Sequence, residues 1–481
     1  MKATFNVLTN PWIPTLDQDG ITKELSLLET LERAHELQGI QAASPLVEYS
    51  VHRFLILFLM DMIRPEDESA IEDLLEEGQF DPDLLSDYID QCNREGVSFD
   101  LFDEERPFLQ TPYVKAWDRE AKPISTLDYT VPNGNNHIHF DHRRKESCYT
   151  PGKALRMLLA AQLFCTTGAQ GYPSNVNGAP PWFALIQGEN LFQTLVFGMI
   201  GTDAIPVPFD TPPVCWRNKE AVPPKEAVGK TSWLYGMLFP ARRIHLLADE
   251  SGETVSKVYF TQGLNYRETN TWTDPHVTYR ITKNGRSNWK PNDDETIWRN
   301  LNNLVDGQNA PQILSQRKRL YVGSQEFHVV LYGVQTELGQ MVYLRQQRHD
   351  LRLPVHLIGN EDAVKFISRY IALAKRLGKA LFQSLNQEEV AKEIRLEAQQ
   401  QFYGVCERKL WSLLETISQE GCDLNETYRQ VVEELIQAAA DHANQVLQNQ
   451  TLRGRAMLAL MKKQQSILQK ECGKIRKEVM Q

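Results

Sequence analysis

The chain contains no C-x-x-C pair: its seven cysteines, at positions 92, 148, 165, 215, 406, 422 and 472, stand singly along 481 residues. An odd number without paired spacing favours neither a disulfide framework nor a cysteine-held zinc, so reduced thiols are expected. Long apolar runs are also missing. The most apolar stretch, residues 51–63, carries His52, Arg53 and Asp61 and is too short to cross a bilayer. The first residues hold no apolar core of signal-peptide length, and Pro11 and Pro14 would interrupt one, which together predict a cytoplasmic protein. Internal repeats and low-complexity tracts are absent, and with 42% apolar residues the composition excludes a disordered or fibrous chain.

An excess of positive charge is missing as well. The net charge of −10 argues against binding nucleic acid by bulk attraction, because phosphate contacts need Lys and Arg. The charge is unevenly spread, however. Residues 61–106 carry 17 acidic against 3 basic side chains, a balance of −14, while residues 451–481 carry 8 basic against 2 acidic, a balance of +6. Such polarity suits a subunit that meets nucleic acid on one face and protein on another, and it equally suits solvated helix faces.

The length accommodates two or three domains. No proline follows Pro354, and helical patterns run near 362–385, 387–419, 425–449 and 451–479. The first has Val364, Ile367, Ile371, Ala374, Leu377 and Leu381 at steps of three and four, a single apolar stripe. Asn386 with Glu389, and Asp423 with Glu426, fit the pattern of a cap and its third residue. Short links between four such helices predict an antiparallel four-helix bundle over 361–481. Residues 1–360 mix helical patterns near 25–37, 47–63, 68–93 and 151–166 with strand-like runs at 4–8, 243–247, 255–260, 327–332 and 341–345. The expected fold class is therefore α+β, a large irregular N-terminal domain followed by the bundle. The runs 327–332 and 341–345 flank Gly333 to Gln340 and predict a hairpin with Gln335 and Gln340 near its tip.

The segment Pro132-Asn-Gly-Asn-Asn-His-Ile-His-Phe-Asp-His142 admits opposed readings. His137, His139, Asp141 and His142 are spaced H-x-H-x-D-H, with imidazole and carboxylate donors suited to zinc in a metal-dependent hydrolase. Asn133, Asn135 and Asn136 instead offer amide donors and acceptors suited to base edges. Asn-Gly and Asn-Asn are also ordinary turn formers, with Phe140 as an anchor. Against the metal stands the following Arg143-Arg-Lys145, three cations beside a proposed dication, and the lack of a buried strand ahead of the motif.

Seven segments in order carry a resemblance: Asn10-Pro-Trp-Ile-Pro14, Arg106-Pro-Phe-Leu-Gln-Thr111, Gly134-Asn-Asn136 with Phe140-Asp-His142, Ala154-Leu-Arg-Met-Leu-Leu-Ala-Ala161, Gly168-Ala-Gln-Gly171, Trp272-Thr-Asp-Pro-His276 and Arg348-His-Asp350. Together with the terminal bundle, the chain resembles the CasA family, the large subunit of type I-E CRISPR Cascade complexes, along essentially its whole length. The resemblance implies a non-enzymatic subunit, without cofactor or structural metal. Its partners would be CRISPR RNA, double-stranded target DNA, the small, backbone and handle-binding subunits, and a helicase-nuclease that docks on it. It would read the short motif beside the target and help open the duplex. By the same resemblance, Asn133, Asn135 and Asn136 form the motif-reading loop, and Gly168, Gln170 and Gly171 a glycine loop whose backbone comes close to DNA. Gln340, or else Gln335, is implied as the hairpin wedge. Arg267, near the place of a family lysine, and Arg317, Lys318 and Arg319 are candidates for the DNA backbone. Cys148 stands alone where some relatives begin a zinc ribbon.

Overall fold

The computed structural model describes residues 3–112, 120–129, 148–165, 175–220, 222–223, 225–267, 272–283, 285–292, 296–320, 325–337, 342–388, 390–449 and 454–480. The chain divides into two compact units, one of residues 1–293 and 311–352, the other of 294–310 and 353–481. The expected boundary at 360 thus moves to 353, and the second unit also takes in the short segment 294–310.

The first unit is built around the helix Pro45–Ile63, which is buried on every side from Leu46 to Met62. A helix that is mostly apolar on all its faces belongs at the centre of a core, and its few charged residues must find partners there. Pro45 starts it, where the missing amide costs nothing, and Arg64 ends it in the left-handed conformation at φ 52°. Around it pack the helices Pro151–Leu163, Leu191–Phe197 and Trp233–Met237 and a three-stranded sheet. That sheet has the order Val342–Pro354, Glu326–Glu337, Phe183–Gln187, so the expected hairpin is present, with strands longer than the apolar runs implied. Two further three-stranded sheets flank this core, one of Thr22–Leu25, Ile13–Asp17 and Leu37–Ile40, the other of Lys122–Pro123, Val255–Gln262 and Arg242–Ala248.

Two local expectations change. The run 4–8 is no strand: the Asn10 side chain accepts from the Asn6 amide at 2.8 Å and the Asn6 side chain from the Leu8 amide at 2.9 Å, and these local turns leave a single bridge from Asn6 to Asp100. The pattern over 68–93 is two helices, Glu68–Glu77 and Pro82–Arg94, because Gly78 at φ 75° closes the first and Pro82 opens the second. Ile71, Leu74, Leu85, Tyr88 and Cys92 point inward, leaving the acidic side chains of this region largely on the outer faces.

In the second unit four helical rods pack together: Glu361–Ser384, Lys392–Ser418, Leu424–Asn449, and a final rod of Arg455–Lys463, a π-helical turn Gln464–Gln469 and Lys470–Met480. Side-chain contacts fix their directions. Tyr370 Oη donates to the Cys406 carbonyl at 2.6 Å and Gln399 Nε2 to the Gly378 carbonyl at 2.9 Å, which sets the first two antiparallel. Gln464 Nε2 reaches the Ala443 carbonyl at 2.9 Å while Arg476 forks onto Glu433, which does the same for the last two. Five of the six stripe residues of the first rod are buried, from Ile367 to Leu381. Asp423 caps the third rod through the amides of Asn425 and Glu426, as expected. Asn386 does not cap the second rod, which starts at Lys392 after buried Val390; its side chain accepts from Arg395 and its carbonyl from Lys463. The segment 294–310 joins this unit through buried Trp298, whose ring centroid lies 6.4 Å from that of Tyr370 and 6.2 Å from that of Tyr403.

Candidate nucleic-acid interface

The helix Pro151–Leu163 separates the two candidate loops. Asn133, Asn135 and Asn136, with His137, His139, Asp141 and His142, lie outside the described residues, as do Gly168, Gln170, Gly171 and Gln340. What the structure describes is where these loops are rooted. Tyr129, which leads into the asparagine loop, donates from its hydroxyl to the Ala161 carbonyl at 2.8 Å, near the end of this helix. On the far side of that loop Tyr149 pairs its backbone with Val255, and Lys153 Nζ sits 3.8 Å from the centre of the Tyr149 ring. The helix ends at Leu163, and the glycine-loop segment follows directly after Cys165. The asparagine loop therefore enters near the end of this helix and leaves into its start, while the glycine-loop segment follows its end, so one helix connects the two.

The chain that returns from the glycine-loop segment is pinned twice. Asn175 Nδ2 donates to the Gln162 carbonyl at 3.1 Å, and Asn177 Nδ2 to Asp274 Oδ2 at 2.9 Å. It then enters the strand Phe183–Gln187, where Phe183 pairs with Tyr332 and Gln187 with His328. Because that pairing is antiparallel, the hairpin continues beyond Phe183 on the side of Trp182. Gly333 makes this possible: a Cβ there would lie 2.6 Å from the Trp182 ring and 2.7 Å from Pro291. Gln335 falls on the strand Glu326–Glu337 and not at the tip; it is buried, and its Oε1 has no hydrogen-bond partner among the described residues.

The cationic candidates separate by geometry. Arg317 is buried, with its guanidinium 4.4 Å from the Phe197 ring centre and 5.4 Å from that of Phe327, and it donates to the Leu320 carbonyl at 2.6 Å. Burial lowers its pKa, and its place between two rings makes it a packing residue of the helix Gln312–Arg319. Arg319 is exposed but forks onto Glu68 at 2.8 and 2.9 Å, so a phosphate would have to displace a carboxylate there. Lys318 is half-buried, and Arg267 is exposed at the end of the parallel pair Ala227–Val228 and Asn265–Tyr266.

Beneath these elements lies a polar cluster that the motifs alone did not announce. Arg53, buried in the central helix, forks onto Asp274 at 2.9 and 2.7 Å, and both side chains are at most 1% exposed. Burial opposes ionisation of Asp274, but Arg53 outweighs it and holds the carboxyl below its usual range. His276 Nδ1 lies 2.7 Å from Tyr49 Oη and 3.2 Å from Arg53, while Nε2 lies 2.8 Å from the Gly198 carbonyl. Since Arg53 can only donate, Nδ1 accepts and Nε2 carries the proton: the imidazole is neutral, its pKa pushed down to about 4 by burial and then by Arg53. A turn earlier on the helix, Glu48 accepts from Tyr332 Oη at 2.5 Å and pairs with Arg348 at 3.3 Å. Burial pushes the Glu48 carboxyl up, and Tyr332 and Arg348 only partly offset it. The signal available in the sequence was the charge itself, since Arg53 within an apolar run must find a partner.

Among the described residues no group of three or more His, Cys, Asp or Glu side chains could hold a metal. No helix of the described residues is long and apolar enough to cross a membrane.

An α+β unit that roots two loops and a hairpin together, followed by a unit of four helical rods, is the architecture of a class of CRISPR-associated proteins. The family model "CRISPR-associated protein Cse1" matches residues 6–443, and the chain belongs to that family. The CRISPR-associated protein CasA/Cse1 of Thermus thermophilus is 30% identical over 316 residues, 63% of this chain and 61% of that protein, so the match spans less than two thirds of the relative. The crystal structure of Thermobifida fusca Cse1 superposes with a TM-score of 0.79 at 21% identity over 98% of both chains. A chain of a structure described as a CRISPR RNA-guided surveillance complex superposes at 0.75 with 16% identity over the whole of both.

Proposed function

We propose that this chain is the non-catalytic large subunit of a type I-E Cascade complex, which recognises the protospacer-adjacent motif in double-stranded DNA, helps to open the duplex and recruits the helicase-nuclease. The observation that carries the reading is the common rooting of the asparagine loop, the glycine loop and the hairpin on the helices Pro151–Leu163 and Pro45–Ile63 in a chain of the Cse1 family. Asn133, Asn135 and Asn136 meet base edges in the minor groove, Gly168 to Gly171 let the backbone approach, and Gln340 wedges the first base pair, since Gln335 is buried on its strand. A minor-groove reader sees a degenerate pattern, so several related motifs are accepted. Arg267, which is exposed, supplies a phosphate contact, whereas Arg317 is committed to Phe197 and Phe327 and Arg319 to Glu68. Wedging costs a few kcal/mol per base step, offset by backbone contacts and by RNA–DNA pairing. With a net charge of −10 the isolated chain binds DNA weakly, and the reading concerns the assembled complex with its CRISPR RNA and its small, backbone and handle-binding subunits.

The test is binding of the reconstituted RNA-guided complex, with and without this chain, to duplexes carrying randomised adjacent motifs, for the wild type and for Asn135→Ala/Asn136→Ala. Enrichment of a set of motifs that needs the chain and collapses in the variant supports the reading. No enrichment with the wild type overturns it, and metal analysis of the segment from His137 to His142 then decides for or against a hydrolase.

A further inference from the structure

We propose that Glu48, Tyr49 and Arg53 of the helix Pro45–Ile63 are positioning residues that hold the hairpin and the return of the glycine loop in one fixed register, so that motif reading and strand opening act as a unit. The proposal rests on the reading given under Proposed function and adds to that site three buried residues that touch no nucleic acid.

Two polar arms leave this short stretch of helix. The first runs from Arg53 through Asp274 to Asn177, the second pin of the chain returning from the glycine loop, whose carbonyl in turn accepts from Asn288 at 2.7 Å. The second runs from Glu48 to Tyr332 and Arg348, one on each strand of the hairpin, and is reinforced one turn earlier by Ser44 Oγ donating to Gln346 at 2.6 Å. Tyr49 joins them. Its hydroxyl lies on His276, two residues from Asp274, its ring centroid lies 5.3 Å from that of Tyr332, and it stacks at 4.8 Å on Phe183, the residue paired with Tyr332.

The chemistry of the cluster points to placement more than to stability. A buried ion pair gains little over well-packed apolar residues of the same volume, so stability alone gives no reason to place Arg53 and Asp274 in the core. Apolar packing is non-directional and lets neighbouring elements slide. Forked and single hydrogen bonds fix distance and angle together, and elements that must meet one ligand in concert need placement to a fraction of an ångström.

The experiment uses the reconstituted complex with 2-aminopurine at the first target base pair beside the motif. It measures motif discrimination, opening rate, binding to duplex without the motif, and the amount of this chain incorporated, for the wild type, Tyr332→Phe, Asn177→Ala and the double variant. Tyr332→Phe removes only the hydroxyl, so the ring packing remains. The expected result is an opening rate lowered about tenfold in Tyr332→Phe, the loss that follows from one hydrogen bond to a charged group. Asn177→Ala lowers motif discrimination and opening together, and the double variant is little worse than Asn177→Ala because both arms serve one register. Incorporation and motif-independent binding stay at wild-type level. The proposal is overturned if discrimination and opening are unchanged in variants of a complex whose wild type shows both, or if they fall only in proportion to incorporation, which would make the cluster merely structural. A wild type with neither discrimination nor opening instead refutes the proposed function itself.

Discussion

Replacing Asp274 by Asn tests the cluster at its centre. Arg53 and Asp274 are at most 1% exposed and meet through two hydrogen bonds of 2.7 and 2.9 Å. Asp274 also accepts from Asn177 Nδ2 and from the His276 amide. The amide of Asn is nearly isosteric but carries no charge, and one of its two atoms cannot accept from Arg53. The guanidinium is then left in the core without a counter-charge, and breaking a buried pair from one side costs roughly 3–5 kcal/mol. The first unit has about 335 residues, and unfolding entropy scales as about 2.1 cal/mol/K per residue, giving a fall in melting midpoint of roughly 4–7 °C. Calorimetry of the free chain reads this directly. The companion Arg53→Met/Asp274→Leu removes both charges and should be no less stable than Asp274→Asn alone. A midpoint for Asp274→Asn within about 1.5 °C of wild type, equivalent to about 1 kcal/mol on that scale, would refute the reasoning, because Arg53 would then have to be stabilised by something other than this carboxylate.

Gly333→Ala should destabilise the first unit by about 1–3 kcal/mol in urea unfolding, because its Cβ would sit 2.6 Å from the Trp182 ring; a gain of stability, usual for Gly→Ala in a strand, would disprove that contact. Gly378→Ala gains about 1 kcal/mol of helix propensity but places its Cβ 2.5 Å from the Tyr403 ring, so a net loss of stability is expected in thermal unfolding. Arg476→Ala breaks the fork onto Glu433 between half-exposed side chains and should change stability by less than about 1 kcal/mol, so a loss several times larger would show that the pair is part of a tighter network. His52 and His276 are buried and neutral, with pKa values pushed down to about 4, so between the unfolded value near 6.5 and pH 4 the unfolded chain binds the extra protons. Their contribution is complete well above pH 6.5 and lost as pH falls through it, with a slope that steepens toward about 2.7 kcal/mol per pH unit near pH 5, read by urea unfolding between pH 7.5 and 5; a flat profile contradicts it.

The four C-terminal rods were legible because each buries one stripe at helical spacing, a property that local sequence carries in full. Ile367, Ile371, Leu377 and Leu381 face inward as their spacing requires. The central helix was legible from a mostly apolar helical pattern interrupted by His52, Arg53 and Asp61, and the hairpin from paired β-rich runs around glycine. Where reading failed, the deciding contact lay far away in the chain or in a competing local bond. Segment 294–310 belongs with the rods because Trp298 lies against Tyr370 and Tyr403, and nothing within those seventeen residues records it. Asn6 and Asn10 close turns where apolar residues suggested a strand.

The candidate site divides in the same manner. Its loops are short, polar and glycine-bearing, so resemblance finds them, and the residues that hold them are unremarkable one at a time. Arg53 and Asp274 lie 221 positions apart, and only folding gives either a reason to be charged. Arg53 nevertheless stood in the sequence as a guanidinium among apolar side chains, and Asp274 as the acid of an otherwise aromatic and imidazole-bearing motif, Trp272-Thr-Asp-Pro-His276. A buried charge needs a partner, and the fold supplies it by bringing Asp274 onto Arg53. The pairing also explains why both fall in segments that resemble no catalytic motif: a charge serving placement needs a fixed partner on a neighbouring element, and Asn177, Tyr49 and Tyr332 show that those elements are the ones that carry the glycine loop and the hairpin.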